Sequence, residues 1–191
     1  MSDEVKSFLP APVAGNIFLV GLMGAGKTSV GKALARILGK TFLDCDQEIE
    51  RSTGVKIPVV FDIEGEFGFR LRESKMLAVL VRQDNIVLAT GGGAVLSKEN
   101  CDLLVANGTV IYLRAPVRSL LKRTRRDRNR PLLQIADPAA RLTALFEQRD
   151  PLYREIAHLI VDTGDQSVRV LAGQIDYKLR ALAGASTVTS A

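Results

Sequence analysis

The stretch Gly21-Leu22-Met23-Gly24-Ala25-Gly26-Lys27-Thr28 restricts the fold of this chain more than any other segment does. Its spacing is G-x-x-x-x-G-K-[ST]. An apolar run at 17–20 precedes it, and over 28–38 the apolar residues Val30, Leu34, Ile37 and Leu38 recur at helical intervals. In the order strand, loop, helix, glycines let successive backbone N–H groups converge on an anion, and the helix N-terminus adds partial positive charge behind them. The expectation is a phosphate-binding loop between a buried strand and a helix.

Within that loop Lys27 would reach the β- and γ-phosphates of a nucleotide, and the Thr28 hydroxyl would ligate one Mg²⁺ ion carried with it. Met23, Gly24, Ala25, Gly26 and Ser29 would complete the cradle. The competing reading, in which Gly24, Gly26 and Gly31 serve only a turn and a close helix contact, leaves the flanking strand and helix a coincidence.

Runs at 41–44, 86–89, 110–113 and 159–161 read as four more strands, and 67–82, 97–106, 116–125 and 138–149 as helices. Such alternation predicts a three-layer α/β/α fold whose five-stranded parallel sheet gathers ligands at the strand C-terminal ends. A length of 191 residues suits one domain, with a core over 16–182 and flexible ends. The stretch 125–137, cation-rich and lying between two helical patterns, reads as a mobile lid.

A net charge of +5 suits either nucleic acid or small anions. The cations cluster at Arg118 and over 122–130, yet aromatic residues make up only 5% of the chain, which leaves few rings on which bases could stack. Small anionic ligands are therefore expected, and nucleic acid is not. No apolar stretch approaches the ~18 residues of a membrane span, and Cys45 and Cys101 have no metal-ligand spacing. A cytoplasmic monomer with free thiols is the expectation.

Asp44 and Asp46, two apart at the end of the second strand, would point both carboxylates to one side if the backbone stayed extended. One would hold the metal, and the other would accept a hydrogen bond from a hydroxyl nucleophile. The alternative is a helix cap for a segment starting at Gln47. Arg70 and Arg72, near Phe69 and Glu73 on one helix, together with Arg130 and Arg149 offer guanidinium forks for a carboxylate, and Gly91-Gly92-Gly93 is either a plain loop or backbone that approaches a small hydroxylated ligand.

As a set, the phosphate loop, Asp44-Cys45-Asp46, Val60-Phe61, Gly65-Glu66, Phe69-Arg70, Glu73, Gly91-Gly92-Gly93, Arg130-Pro131-Leu132-Leu133 and Arg149-Asp150-Pro151-Leu152-Tyr153 resemble the shikimate kinase family. The resemblance runs over about 16–182. It implies a P-loop fold of the nucleoside monophosphate kinase kind and transfer of the ATP γ-phosphate to the 3-hydroxyl of shikimate, on the route to chorismate. It also implies that Asp46 binds the shikimate hydroxyls and acts as base, that Arg70 and Arg149 hold the carboxylate, and that Glu73 orients those arginines. Gly92 would donate a backbone N–H to the substrate, flanked by Gly91 and Gly93. On the nucleotide side, Thr28 and Asp44 would serve the metal, Arg130 would reach the phosphates from the lid, and Arg123 and Gln166 would bound the adenine. His158 lies outside these motifs and reads as structural.

Two rivals keep the same loop. A gluconate kinase-like enzyme also phosphorylates an anionic polyol, but Phe69-Arg70 with the segment 149–153 matches the shikimate pattern. A non-catalytic nucleotide-binding regulator would have no need of Lys27, Thr28, Asp44, Asp46 and Arg130 together.

Overall fold

The computed structural model describes residues 13–125 and 136–188. Its five strands are β1 (Asn16–Val20), β2 (Thr41–Asp44), β3 (Ile86–Ala89), β4 (Gly108–Arg114) and β5 (Leu159–Asp162). They form one parallel sheet in the order β2-β3-β1-β4-β5. β1 and β3 are buried throughout because helices cover both faces, so continuous apolar runs replace alternation. The edge strands β2 and β5 are only partly buried.

Among the described residues seven helices surround the sheet: α1 (Lys27–Leu38), α2 (Cys45–Thr53), α3 (Ile57–Leu80), α4 (Lys98–Asn107), α5 (Val117–Thr124), α6 (Pro138–Ile156) and α7 (Val168–Val188). α1 opens on Gly26 at φ 99° and closes on Gly39 at φ 65°, whose N–H bonds the Ala35 carbonyl. Both are left-handed positions where glycine carries no steric penalty. Between β3 and α4 runs a short 3₁₀ turn, Ala94–Leu96, and α4 begins on Ser97, whose hydroxyl accepts from Asn100 N–H at 3.3 Å.

Register places the chemistry. Leu19 lies opposite Ala89 and Val20 opposite Tyr112, while Asp44 lies opposite Ala89 from the other side. The loop after β1, the glycines after β3 and the aspartates after β2 therefore emerge side by side at the C-terminal edge.

Four helices depart from the expected ones, among them α7, which falls on no expected helical segment and continues past 182 into the stretch expected to be a flexible end. α2 begins at Cys45, directly after the strand, so the extended backbone predicted to run through Asp46 ends at Asp44. The competing cap reading holds, two residues earlier than expected: the Asp44 side chain accepts from Asp46 N–H at 3.1 Å. α3 begins ten residues before the expected start at 67, and is interrupted at Gly65 (φ 67°, ψ −177°), a conformation that breaks the helical repeat. α6 runs through Pro151 to Ile156 instead of ending at Arg149. Proline costs a helix interior about 3 kcal/mol, but this continuation buries Tyr153 and Ile156, each fully buried large side chain being worth roughly 1.5–3 kcal/mol.

Candidate active site

A cleft of about 470 Å³ opens at the C-terminal edge of the sheet. Its floor is the loop 21–28. Gly21, Gly24 and Gly26 all have positive φ, at 139°, 80° and 99°. At Gly24 a Cβ would also come within 2.8 Å of the Thr124 side chain on α5, so this position has neither the dihedral freedom nor the room for another residue. Lys27 folds back over the loop, its ammonium donating to the carbonyls of Gly21 at 2.6 Å and Leu22 at 3.1 Å.

Thr28 Oγ1 donates to Asp44 Oδ2 at 2.7 Å, joining the first turn of α1 to the end of β2. Two hard oxygen ligands thus stand together beside the phosphate cradle. Among the described residues no cluster of three or more acidic, histidine or cysteine side chains forms an all-protein metal cage. A hydroxyl and one carboxylate suit Mg²⁺, which keeps several waters and takes its remaining ligands from phosphates. Asp44 thereby does two things, its Oδ1 capping α2 and its Oδ2 meeting Thr28.

Asp46, Arg70, Glu73 and Arg149 line the same cleft, together with Met23, Gln47, Glu50, Ile57, Phe61 and Phe69. Gln47, Glu50 and Ile57 carry no motif, and only their places on α2 and α3 bring them here. Phe61 and Phe69 stack at 4.6 Å between centroids, and the Arg70 guanidinium lies 5.2 Å over the Phe69 ring. Arg70 donates to Glu73 at 2.7 Å and to Glu66 at 3.0 Å. Burial pulls the Arg70 guanidinium down, but the charges and hydrogen bonds of Glu73 and Glu66 outweigh it and raise it. Glu73, only 1% exposed, is pushed up by burial, with Arg70 opposing and Asp46 adding to the rise.

Arg149 is held differently. Its Nη1 donates to the Gly92 carbonyl at 3.0 Å, and its Nε is buried with no hydrogen-bond partner among the described residues. Burial lowers its proton affinity and the charge of Arg70 adds to that effect. Glu73 therefore hydrogen-bonds only one of the two arginines expected to share it. The other, Arg149, takes its orientation from backbone.

The three glycines also divide their tasks. A Cβ on Gly91 would sit 1.9 Å from Glu73 Oε1 and 3.3 Å from Asp46 Oδ1, and one on Gly93 would overlap the Arg70 guanidinium at 2.2 Å. Gly91 and Gly93 make room for the cleft's own charged side chains. Gly92 has ordinary space around it and instead supplies a carbonyl that accepts from both Arg149 and Tyr153. Tyr153 stands in the sequence motif without an evident task, and its contact with Gly92 is visible only in the fold.

Arg123 also lines the cleft and donates to the carbonyls of Gly24 at 3.2 Å and Gly164 at 2.7 Å, and to Thr163 Oγ1 at 3.3 Å. Gln166 is exposed on the loop after β5 and is not among the residues lining this cleft. Arg130 and most of the expected lid at 125–137 lie outside the described residues. His158, expected to be structural, accepts the Val110 N–H on Nδ1 at 3.0 Å, between β4 and β5.

The shikimate kinase family model matches residues 23–180. The chain belongs to the shikimate kinase family. A shikimate kinase from Chromobacterium violaceum is 62% identical over 163 residues, which are 85% of this chain and 89% of that protein. A solved shikimate kinase from Acinetobacter baumannii in complex with shikimate superposes with a TM-score of 0.87 at 50% identity, covering 88% of this chain and 94% of that one. A gluconokinase from Sinorhizobium meliloti 1021 reaches a TM-score of 0.64 at 19% identity over 95% of this chain and 100% of that one, a likeness of fold alone. Shikimate kinases are ATP-dependent phosphotransferases acting on a hydroxyl group, and the five-stranded parallel sheet is shared with them.

Proposed function

We infer that this protein phosphorylates the 3-hydroxyl of shikimate with ATP, giving shikimate 3-phosphate and ADP. The observation that carries this reading is the two-ended cleft: a phosphate loop with the Thr28–Asp44 pair at one end, and Asp46 with two arginines at the other. Thr28 and Asp44 would hold Mg²⁺, which when bound neutralises charge on the β- and γ-phosphates. The backbone N–H groups over 23–29 hold those phosphates, and Lys27 leaves its carbonyl partners to reach the γ-phosphoryl as charge develops there. Asp46, on the first turn of α2, takes the proton of the attacking hydroxyl. Arg149 and Arg70 hold the substrate carboxylate, which supplies the negative charge that Arg149 lacks in the protein's own described hydrogen bonds. Arg123 forms part of the adenine side through its bonds to Thr163 and Gly164. Among the described residues no helix is long and apolar enough to cross a membrane, and the two free cysteines fit the cytoplasmic setting proposed here.

The test is ADP release with shikimate, with gluconate and with no acceptor. Release that depends on shikimate, with a phosphate recovered on its 3-hydroxyl, is expected. Equal release with gluconate would assign the cleft to a broader polyol kinase, and none with either acceptor would leave a nucleotide-binding protein.

A further inference from the structure

We propose that the Tyr153 hydroxyl is a positioning group for the acid-binding end of the cleft, pinning the Gly92 carbonyl on which the Arg149 guanidinium is oriented. The proposal rests on the reading of Arg149 as a carboxylate-binding residue. Arg149 and Tyr153 lie one turn apart on the buried face of α6. Both donate to the same oxygen, Arg149 Nη1 at 3.0 Å and Tyr153 OH at 2.5 Å.

The acceptor belongs to the middle of three consecutive glycines. Such a segment has no side chains to restrict its dihedral angles, so local preference leaves the peptide orientation open and something outside must fix it. Gly91 and Gly93 cannot be exchanged for residues that would stiffen it, since a Cβ at either would overlap Glu73 or Arg70. Tyr153 can supply the fixing because it is itself immobile. It is fully buried, and its ring stacks on Tyr112 at 4.9 Å between centroids. Tyr112 is tied in turn to Asp150 by a 2.7 Å hydrogen bond, and Asp150 to Arg154. Burial holds the Tyr153 phenol above its ordinary value, so it remains a donor throughout the physiological range. With Nη1 anchored, the buried Nε of Arg149 is held in one direction. Losing the tyrosine hydroxyl would leave Gly92 and Arg149 bonded to each other but free to turn together.

The experiment compares Tyr153→Phe with Arg149→Lys and Tyr112→Phe in the full chain, by calorimetric titration of shikimate and by initial rates with each substrate varied. Tyr153→Phe keeps the ring and leaves the Gly92 carbonyl bonded to Arg149, so it should fold. We expect it to weaken shikimate binding by up to roughly tenfold, through the lost orientation of Arg149 and not through a bond to the ligand, with the KM for ATP and kcat within about twofold. With a shikimate analogue carrying hydroxymethyl in place of the carboxylate, wild type and Tyr153→Phe should bind alike. Tyr112→Phe keeps the ring that stacks on Tyr153 and removes a hydroxyl that does not reach Gly92, so it should weaken shikimate binding clearly less than Tyr153→Phe does.

Wild-type shikimate affinity in Tyr153→Phe, beside a loss in Arg149→Lys, would overturn the role of Tyr153 alone. A loss shared equally by ATP or by the analogue would make Tyr153 merely a packing residue. Unchanged affinity in Arg149→Lys would remove the reading of Arg149 and this inference with it.

Discussion

The two ends of the cleft are built by opposite means. At the phosphate end one continuous stretch, 21–28, turns backbone N–H groups inward, and side chains enter through Lys27, the Thr28–Asp44 hydrogen bond and Arg123, which bonds the Gly24 carbonyl. At the acid end four separate segments contribute Asp46, Arg70 with Glu73, the glycines 91–93, and Arg149 with Tyr153, and the groups that face inward are mostly charged side chains. The loop's glycines permit its left-handed turns, and its carbonyls are tied mostly from within the stretch itself, Gly21 and Leu22 by Lys27 and Leu22 again by the Ala25 N–H. Buried charge needs partners on several sides. Damage at the first end should therefore stop turnover, and damage at the second should change recognition.

The sharpest test of the phosphate end is Lys27→Met. Removing one cation aimed at developing γ-phosphate charge should lower kcat by at least about 10²–10³, with the fold intact by circular dichroism and the affinity for shikimate little changed. A folded variant with near-normal kcat would mean that the loop binds the nucleotide without contributing to transfer.

Asp46, proposed as the base, is the acid-end residue nearest in sequence to the Thr28–Asp44 pair, and Asp46→Asn locates the border between the ends. An amide can hydrogen-bond a hydroxyl but cannot take its proton, so kcat should fall by about 10²–10⁴ while ADP affinity stays within a few-fold. Should ADP affinity fall in step with kcat, Asp46 belongs to the nucleotide and metal side.

The same contrast explains what could be read in advance. The loop and strands β1, β2 and β3 were legible because each is one short contiguous run whose pattern carries its own signal. α2 was not, because it is mostly polar and buries only Cys45 and Ile49, too narrow a stripe to show as periodicity. α6 seemed to end at Arg149 because Pro151 follows. Its buried positions, Leu142, Leu145, Arg149, Tyr153 and Ile156, keep helical spacing through the proline, but one of the five is an arginine and breaks the apolar pattern. The glycines 91–93 were legible as a feature and not as a mechanism. Only the fold shows that Gly91 and Gly93 are small for the sake of Glu73 and Arg70, residues about twenty positions earlier in the chain.

Gly91→Ala tests that last point at an intermediate scale. The added methyl overlaps Glu73 Oε1, and because the other carboxylate oxygen, Oε2, is held by Arg70, this buried group cannot move aside without disturbing the ion pair. Overpacking of this kind costs about 1–3 kcal/mol of stability, and shikimate affinity should fall with it while ADP affinity holds. Equal losses for both ligands would show that the two ends are less separate than their construction implies.

The smallest expected effect concerns the neutral donors behind the acid end. Tyr112 and Tyr153 are both held above the ordinary phenol value of 10.0, burial being the first cause in each. For Tyr112 the Asp150 carboxylate that accepts its hydrogen bond adds to the rise, whereas for Tyr153 the Arg149 charge opposes it. Unfolded chains release these protons near 10.0 and the folded protein keeps them, so their contribution to stability is complete below that pH and is lost as pH rises toward the folded values. Each tyrosine should steepen the loss by up to about 1.4 kcal/mol per pH unit above pH ~10. Denaturant unfolding followed between pH about 9.5 and 11 should show a slope that shrinks in Tyr153→Phe and shrinks again when Tyr112→Phe is added. Tyr177, 76% exposed on α7, serves as the internal control, and its replacement should leave the slope unchanged. The phosphate loop 21–28 contains no tyrosine, so a slope indifferent to Tyr112 and Tyr153 would mean that the acid end lacks the locked, proton-holding support that distinguishes it from the loop.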